Sequence, residues 1–161
     1  MISIIDYGVG NVKAFLNIYK KLGHNAQLAT KEEHLDGSTK LILPGVGHFD
    51  YAMKKFKDSG LYQKVNTLVI EEKVPVVGIC VGMQLLFEHS EESDTECLGI
   101  IPAKVKLFRS EEISPDIPIK VPQVGWNDIY NLKTELFKDV PEHSYIYYVH
   151  SYYAEMNPYC I

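Results

Sequence analysis

The chain has 161 residues, 46% hydrophobic and 23% charged, enough to bury one ordinary globular core. A formal net charge of -5 and a pI near 5.7 argue against a nucleic-acid surface, which needs a basic stripe. No apolar run approaches the ~18 residues of a membrane span, and the start reads as no secretory leader.

The three cysteines, Cys80, Cys97 and Cys160, are odd in number and widely spaced, without C-x-x-C. That usage suits a reducing cytoplasm better than a disulfide framework or a zinc site. Neither a metal nor a cofactor is called for, nor a nucleic-acid or membrane partner.

In chain order, "ISIID" (2–6) reads as a strand and "NVKAFLNIYKKL" (11–22) as a helix capped by Asn11. Val12, Phe15, Leu16, Tyr19 and Leu22 recur there at helical spacing. "AQLAT" and "KLILP" read as the next two strands, and 51–73 as helix broken at Gly60. "VPVVGIC" (74–80) lacks alternation, as expected of a strand covered on both faces of a parallel sheet. "MQLLFEHSEES" (83–93) reads as the following helix. Beyond Leu98, "LGIIPAKVKLFR", "VPQVGWNDIY" and "YIYYVHSYYAE" read as strands joined by loops. The expected fold class is α/β: an open, mostly parallel sheet with helices on both faces and an antiparallel extension. No linker stands out, so residues 1–161 are expected to form a single domain.

The stretch "GICVG" is the thiol version of the G-x-S-x-G nucleophile elbow. A nucleophile on a sharp strand-to-helix turn needs small neighbours, and Gly78 and Gly82 supply the room. Amide dipoles at the helix start favour a thiolate at Cys80, and the Val81 N–H can face an oxyanion. A buried structural cysteine at a glycine-flanked strand end is the plainer alternative. "LILPGVGHF" (41–49) ends another strand in two glycines, which free amides to face a substrate oxygen. In a parallel sheet both turns fall on the carboxyl edge, where ligands bind. Ordinary turns are the alternative there. "DYGVGN" does not complete G-x-G-x-x-G, because position 13 is Lys, so no nucleotide site is expected.

Together "DYGVGN", "PGVGHF", "GICVGMQLLFE", "VGWN" and "YYVHSY" resemble, in order, the triad-type (class I) glutamine amidotransferases. The resemblance is strongest to the glutaminase subunits of imidazole glycerol phosphate synthase and runs from residue 2 to 155. It implies a flavodoxin-like type 1 amidotransferase domain lacking its C-terminal end. It implies that Cys80 attacks the side-chain amide of glutamine, giving a glutamyl thioester and ammonia. By the same resemblance the oxyanion hole falls on Val46, Gly47 and Val81. Glutamine-binding positions fall on Gly45, Gln84, Glu92, His150, Ser151 and Tyr152. The implied partner is a (β/α)8 cyclase subunit, joined as a heterodimer, which receives the ammonia. Asn11, Trp126 and Tyr147 match positions facing that partner; plain core or sheet-face aromatics are the alternative for the two rings.

A thiol amidotransferase also needs a base and a carboxylate to hold it. The family's "H-P-E" motif, expected beyond "YYVHSYYA", has no match. His89-Ser90-Glu91 has H-x-E spacing but would lie roughly 13 Å along a continuous helix from Cys80. His48 follows the glycine turn, His150 belongs to the substrate strand, and His24, His34 and His143 have surface contexts. The expectation is that the 161-residue chain does not hydrolyse glutamine at a useful rate. Four functions stand open. They are a glutaminase subunit of histidine biosynthesis, a paralogue for bacterial surface-sugar amidation, a catalytically incomplete partner-binding module, and a cysteine hydrolase. "CVGM" and "PQVGWN", against the usual "CLGM" and "PHMGWN", leave room for the paralogue.

Overall fold

The computed structural model describes residues 1–109 and 120–158, and Cys160 lies outside them. The chain divides into two compact units, Met1–Lys104 and Val105–Ile161.

The first unit is built on four parallel strands: β1 (Ile2–Ile5), β2 (Ala26–Ala29), β3 (Lys40–Gly45) and β4 (Val76–Cys80). Their order is β2-β1-β3-β4, so the first and third strands fill the centre. Helices cover both faces, as the sequence pattern predicts. On one face α1 (Val12–Lys21) sets Val12 against Ile4 and Ile42, with Phe15, Leu16 and Tyr19 packed around them. Asn11 caps it, its side-chain oxygen accepting from the Ala14 N–H at 3.3 Å. Leu22 ends the helix rather than extending the apolar stripe, and is 64% exposed.

On the other face lie α2 (Phe49–Asp58) and α3 (Leu61–Ile70), separated where Gly60 takes φ +78°. Phe49, Phe56, Leu61 and Val65 are wholly buried there with Ile5, Leu41 and Leu43. Each such side chain contributes roughly 1.5–3 kcal/mol by leaving water, which anchors the carboxyl ends of β1 and β3.

Two expectations are corrected in this unit. β4 is not covered on all sides: among the described residues it pairs with β3 alone, and Val77 is 43% exposed. The expected helix over 83–93 is one turn, α4 (Val81–Gln84). The carbonyls of Leu85, Leu86 and Phe87 accept from the N–H groups of Leu98, Gly99, Ile100 and Ile101 instead of helical donors. The chain then forms β5 (His89–Ser90) and β6 (Thr95–Glu96), an antiparallel pair around a 3-10 turn at Glu92–Asp94.

In the second unit β10 (Tyr152–Ala154) pairs antiparallel with β7 (Lys104–Leu107). β8 (Gln123–Ile129) and β9 (Ser144–His150) form an antiparallel ribbon with Trp126 opposite Tyr147. Among the described residues these antiparallel strands do not pair with the four parallel ones.

Candidate active site

Cys80 sits where β4 becomes α4, with φ +56° and ψ -120°. A non-glycine residue held in so sparse a region is strained, and the surrounding backbone enforces it. The thiol is exposed. A Cβ on Gly78 would come within 2.4 Å of Met83 Cα, and one on Gly82 within 1.9 Å of the Leu43 carbonyl oxygen. Glycine is therefore needed on both sides of the nucleophile, as the elbow pattern requires. The helix behind Cys80 is a single turn, so no long macrodipole acts on the thiol.

The glycine turn lies beside the elbow because β3 and β4 are neighbours, and their register sets Gly45 opposite Cys80. A Cβ on Gly45 would meet the Gly82 amide nitrogen at 2.3 Å, so the two turns touch backbone to backbone. Gly47 takes φ +86° with open space around it, and Val46 is 57% exposed. Gly45, Val46, Gly47, Cys80 and Val81 thus meet at one carboxyl edge, where amides of two loops can face one oxyanion.

Gln84 belongs to the same turn of helix as Val81 and is 7% exposed. Its side-chain oxygen is buried without a hydrogen-bond partner among the described residues. An unsatisfied buried carbonyl costs about 1–3 kcal/mol, which a ligand donor would recover. Glu92, 13% exposed at its side chain, has its carboxylate 3.2 Å from His48 Nδ1, and Asp50 lies 3.4 Å from the same nitrogen. His48 follows Gly47 directly, so the glycine turn and the carboxylate are tied together.

Three further groups lie in the second unit. His150 Nδ1 donates to the Tyr152 carbonyl at 2.8 Å, and its Nε2 lies 3.3 Å from the Gln123 side chain. Both ring nitrogens are therefore engaged locally. The Ser151 carbonyl accepts from the Phe108 N–H at 2.9 Å, and Tyr152 sits opposite Leu107. Trp126 and Tyr147 form an edge-to-face pair, centroids 5.4 Å apart, on one face of the β8–β9 ribbon. They are 65% and 50% exposed, so neither is a core aromatic. Asn11 is exposed in the first unit.

The base is the piece not assembled. His89 pairs with Asp94 at 2.8 Å, on the 3-10 turn rather than a helix, and His143 with Asp128 at 2.6 Å. His34 bonds Thr30. Among the described residues no imidazole is hydrogen-bonded to Cys80.

The sequence pattern missed Tyr7, which is 3% exposed and donates its phenolic O–H to the Pro44 carbonyl at 2.7 Å. Burial first, and then the charge of a Cys80 thiolate, raise its pKa above the ordinary tyrosine value. That second cause shows the phenol lies within electrostatic reach of the nucleophile. An aromatic next to the glycines of "DYGVGN" was the available signal.

The family model for glutamine amidotransferase class-I matches residues 3–161. The chain is 42% identical over 156 residues to the imidazole glycerol phosphate synthase subunit HisH of Leptospira borgpetersenii, covering 96% of this chain and 76% of that one. It is 43% identical over 161 residues to the same subunit of Bdellovibrio bacteriovorus, covering 98% and 78%. A crystal structure of a glutamine amidotransferase matches with a TM-score of 0.57 and 27% identity, over 66% of this chain and 56% of the other.

Proposed function

Because this chain belongs to the glutamine amidotransferase class-I family, and within it to the HisH subunits of imidazole glycerol phosphate synthase, we propose that it is a glutaminase subunit. Its ammonia goes to a (β/α)8 cyclase partner of histidine biosynthesis, in the cytoplasm. Among the described residues no helix is long and apolar enough to cross a membrane. We read residues 1–161 as belonging to one type 1 amidotransferase domain, since the family model spans both compact units.

The observation that carries the reading is the register that sets Gly45 opposite a strained, exposed Cys80. In the reaction, Cys80 Sγ bonds to the side-chain carbonyl carbon of glutamine and the carbonyl oxygen takes the negative charge. The Val81 N–H and an amide of the Val46–Gly47 turn stabilise that oxygen. The C–N bond then breaks, the proton given up by the thiol passes to the departing nitrogen, which leaves as ammonia, and a glutamyl thioester remains. Water cleaves the thioester, releasing glutamate and restoring the thiol. Gln84 offers the bound amino acid its unpartnered buried oxygen, and Glu92 offers a carboxylate for the α-ammonium. His150, Ser151 and Tyr152 carry the substrate-lining role by resemblance, and Asn11, Trp126 and Tyr147 the partner contact.

The relatives bear the histidine-pathway name, which favours that route over surface-sugar amidation despite the "CVGM" and "PQVGWN" departures. A partner-binding module without turnover is the alternative reading. Ammonia release from glutamine, measured with the cyclase subunit present, separates the two. Release that vanishes in Cys80→Ser supports the glutaminase. A stable complex that releases none supports the module.

A further inference from the structure

Tyr7 stands in the loop after β1, yet its contacts reach the end of β3. Its hydroxyl donates to the carbonyl of Pro44, the residue immediately before the glycine turn. Its ring packs at 5.2 Å on Phe56, one of the wholly buried residues of α2. The same loop presses on Pro44 a second time: a Cβ on Gly10 would sit 3.2 Å from Pro44 Cβ. Pro44 has a fixed φ, and its carbonyl shares a peptide with the N–H of Gly45, the last residue of β3 paired with β4, so the Tyr7 hydroxyl holds that peptide from the side of its carbonyl.

The two flanks of the turn are fixed differently from its middle. Gly45 is wedged against Gly82, and Phe49 on the far side is wholly buried. Between them, Val46 is exposed and Gly47 has free space around it. A peptide in that middle can rotate at little cost, whereas the 44–45 peptide cannot rotate without breaking a buried hydrogen bond.

We propose that Tyr7 is a positioning residue for the oxyanion turn: its hydrogen bond to the Pro44 carbonyl fixes one end, confining reorientation to Val46 and Gly47. This rests on the glutaminase reading, in which that turn serves an oxyanion. The phenol takes no part in proton transfer. Its proton is committed to the carbonyl, and its raised pKa keeps it there across the working pH range.

The test compares two electrophiles on Cys80 of the whole chain: the γ-chloroketone analogue of glutamine, whose carbonyl needs the oxyanion turn, and iodoacetamide, which does not. In the unsubstituted protein the chloroketone reacts saturably and faster. Tyr7→Phe keeps the ring and removes only the hydroxyl. It should slow the saturated chloroketone rate about tenfold, less than the ~10²–10³ for losing an oxyanion donor outright. The half-saturating concentration and the iodoacetamide rate should stay within about twofold. Phe56→Leu disturbs the same packing but keeps the hydroxyl, and should preserve the ratio of the two rates. Half-buried Cys97 reports unfolding by becoming labelled. An unchanged ratio in Tyr7→Phe, or an equal fall in Phe56→Leu, overturns the assignment. Should Tyr7→Phe expose Cys97, Phe56→Leu decides alone: a preserved ratio despite its own loss of stability upholds the hydroxyl's role. If the unsubstituted protein shows no preference for the chloroketone, the glutaminase reading itself fails.

Discussion

Gly82→Ala puts the packing of the two turns to a direct test. The added methyl would lie 1.9 Å from the Leu43 carbonyl oxygen and 2.7 Å from its carbon, both backbone atoms of a central strand. Ordinary contact begins at 3.4 Å, so β3 and α4 must part by about 1.5 Å (3.4 less 1.9). No flexible side chain is there to yield, which places the cost at the upper end of overpacking, about 3 kcal/mol. For a chain of this size that is roughly a 6–12 °C fall in Tm, at about 2–4 °C per kcal/mol. The same parting carries the Val81 N–H away from the glycine turn, so chloroketone alkylation of Cys80 should fall by ~10² or more. Gly37→Ala is the control. Gly37 has φ +69° and nothing within 4 Å, so alanine there costs only backbone strain, about 1–2 kcal/mol. Thermal unfolding followed by circular dichroism reads both variants. Gly82→Ala melting within 2 °C of the parent, or no lower than Gly37→Ala, would refute the reasoning.

Burial pushes the Cys97 thiol up to about 12, with Lys57 opposing, whereas Cys80 is exposed. At pH 7.5 Cys97 is thiolate in less than ~10⁻⁴ of molecules, so peptide mapping should find iodoacetamide on Cys80 at least ~10²-fold faster; comparable labelling would count against the elbow. The His143 imidazole is held above its ordinary 6.5 by the hydrogen bond to Asp128, whose own carboxyl is held below 3.8. His143 favours the fold fully below 6.5 and loses that as pH rises through its raised value, while Asp128's contribution fades as pH falls through its depressed value. An NMR titration should therefore place the His143 midpoint above 6.5 and see it fall in Asp128→Asn; no change would remove the pair. Trp126→Ala should weaken binding of the cyclase subunit by tenfold or more, with Tm within ~2 °C because the ring is 65% exposed. Unaltered affinity would take Trp126 out of the interface.

Much of the first unit is legible because its signals are local. The alternation of strand and helix, the Asn11 cap, the break at Gly60 and the elbow glycines all state their backbone needs within a few residues. The helix expected over 83–93 misleads because its amphipathic pattern is real but outcompeted. Leu85, Leu86 and Phe87 are buried in succession, and segment 98–101 takes their carbonyls. The exposed face of β4 depends on which strand lies beside it, and no residue of "VPVVGIC" encodes that. At the site, the nucleophile and glycine turn are readable as motifs. The Tyr7–Pro44 and His48–Glu92 contacts are not, since sheet order and the 3-10 turn bring together residues far apart in sequence.

The most direct measurement is the protection of Cys80 by glutamine. The chain is treated with the chloroketone analogue, with and without L-glutamine, and the modified residue is located by mass spectrometry. A single adduct on Cys80, slowed saturably by L-glutamine and not by D-glutamine, is the result expected of a glutamine-binding thiol nucleophile. Label on Cys97, or a Cys80 rate indifferent to L-glutamine, would contradict it.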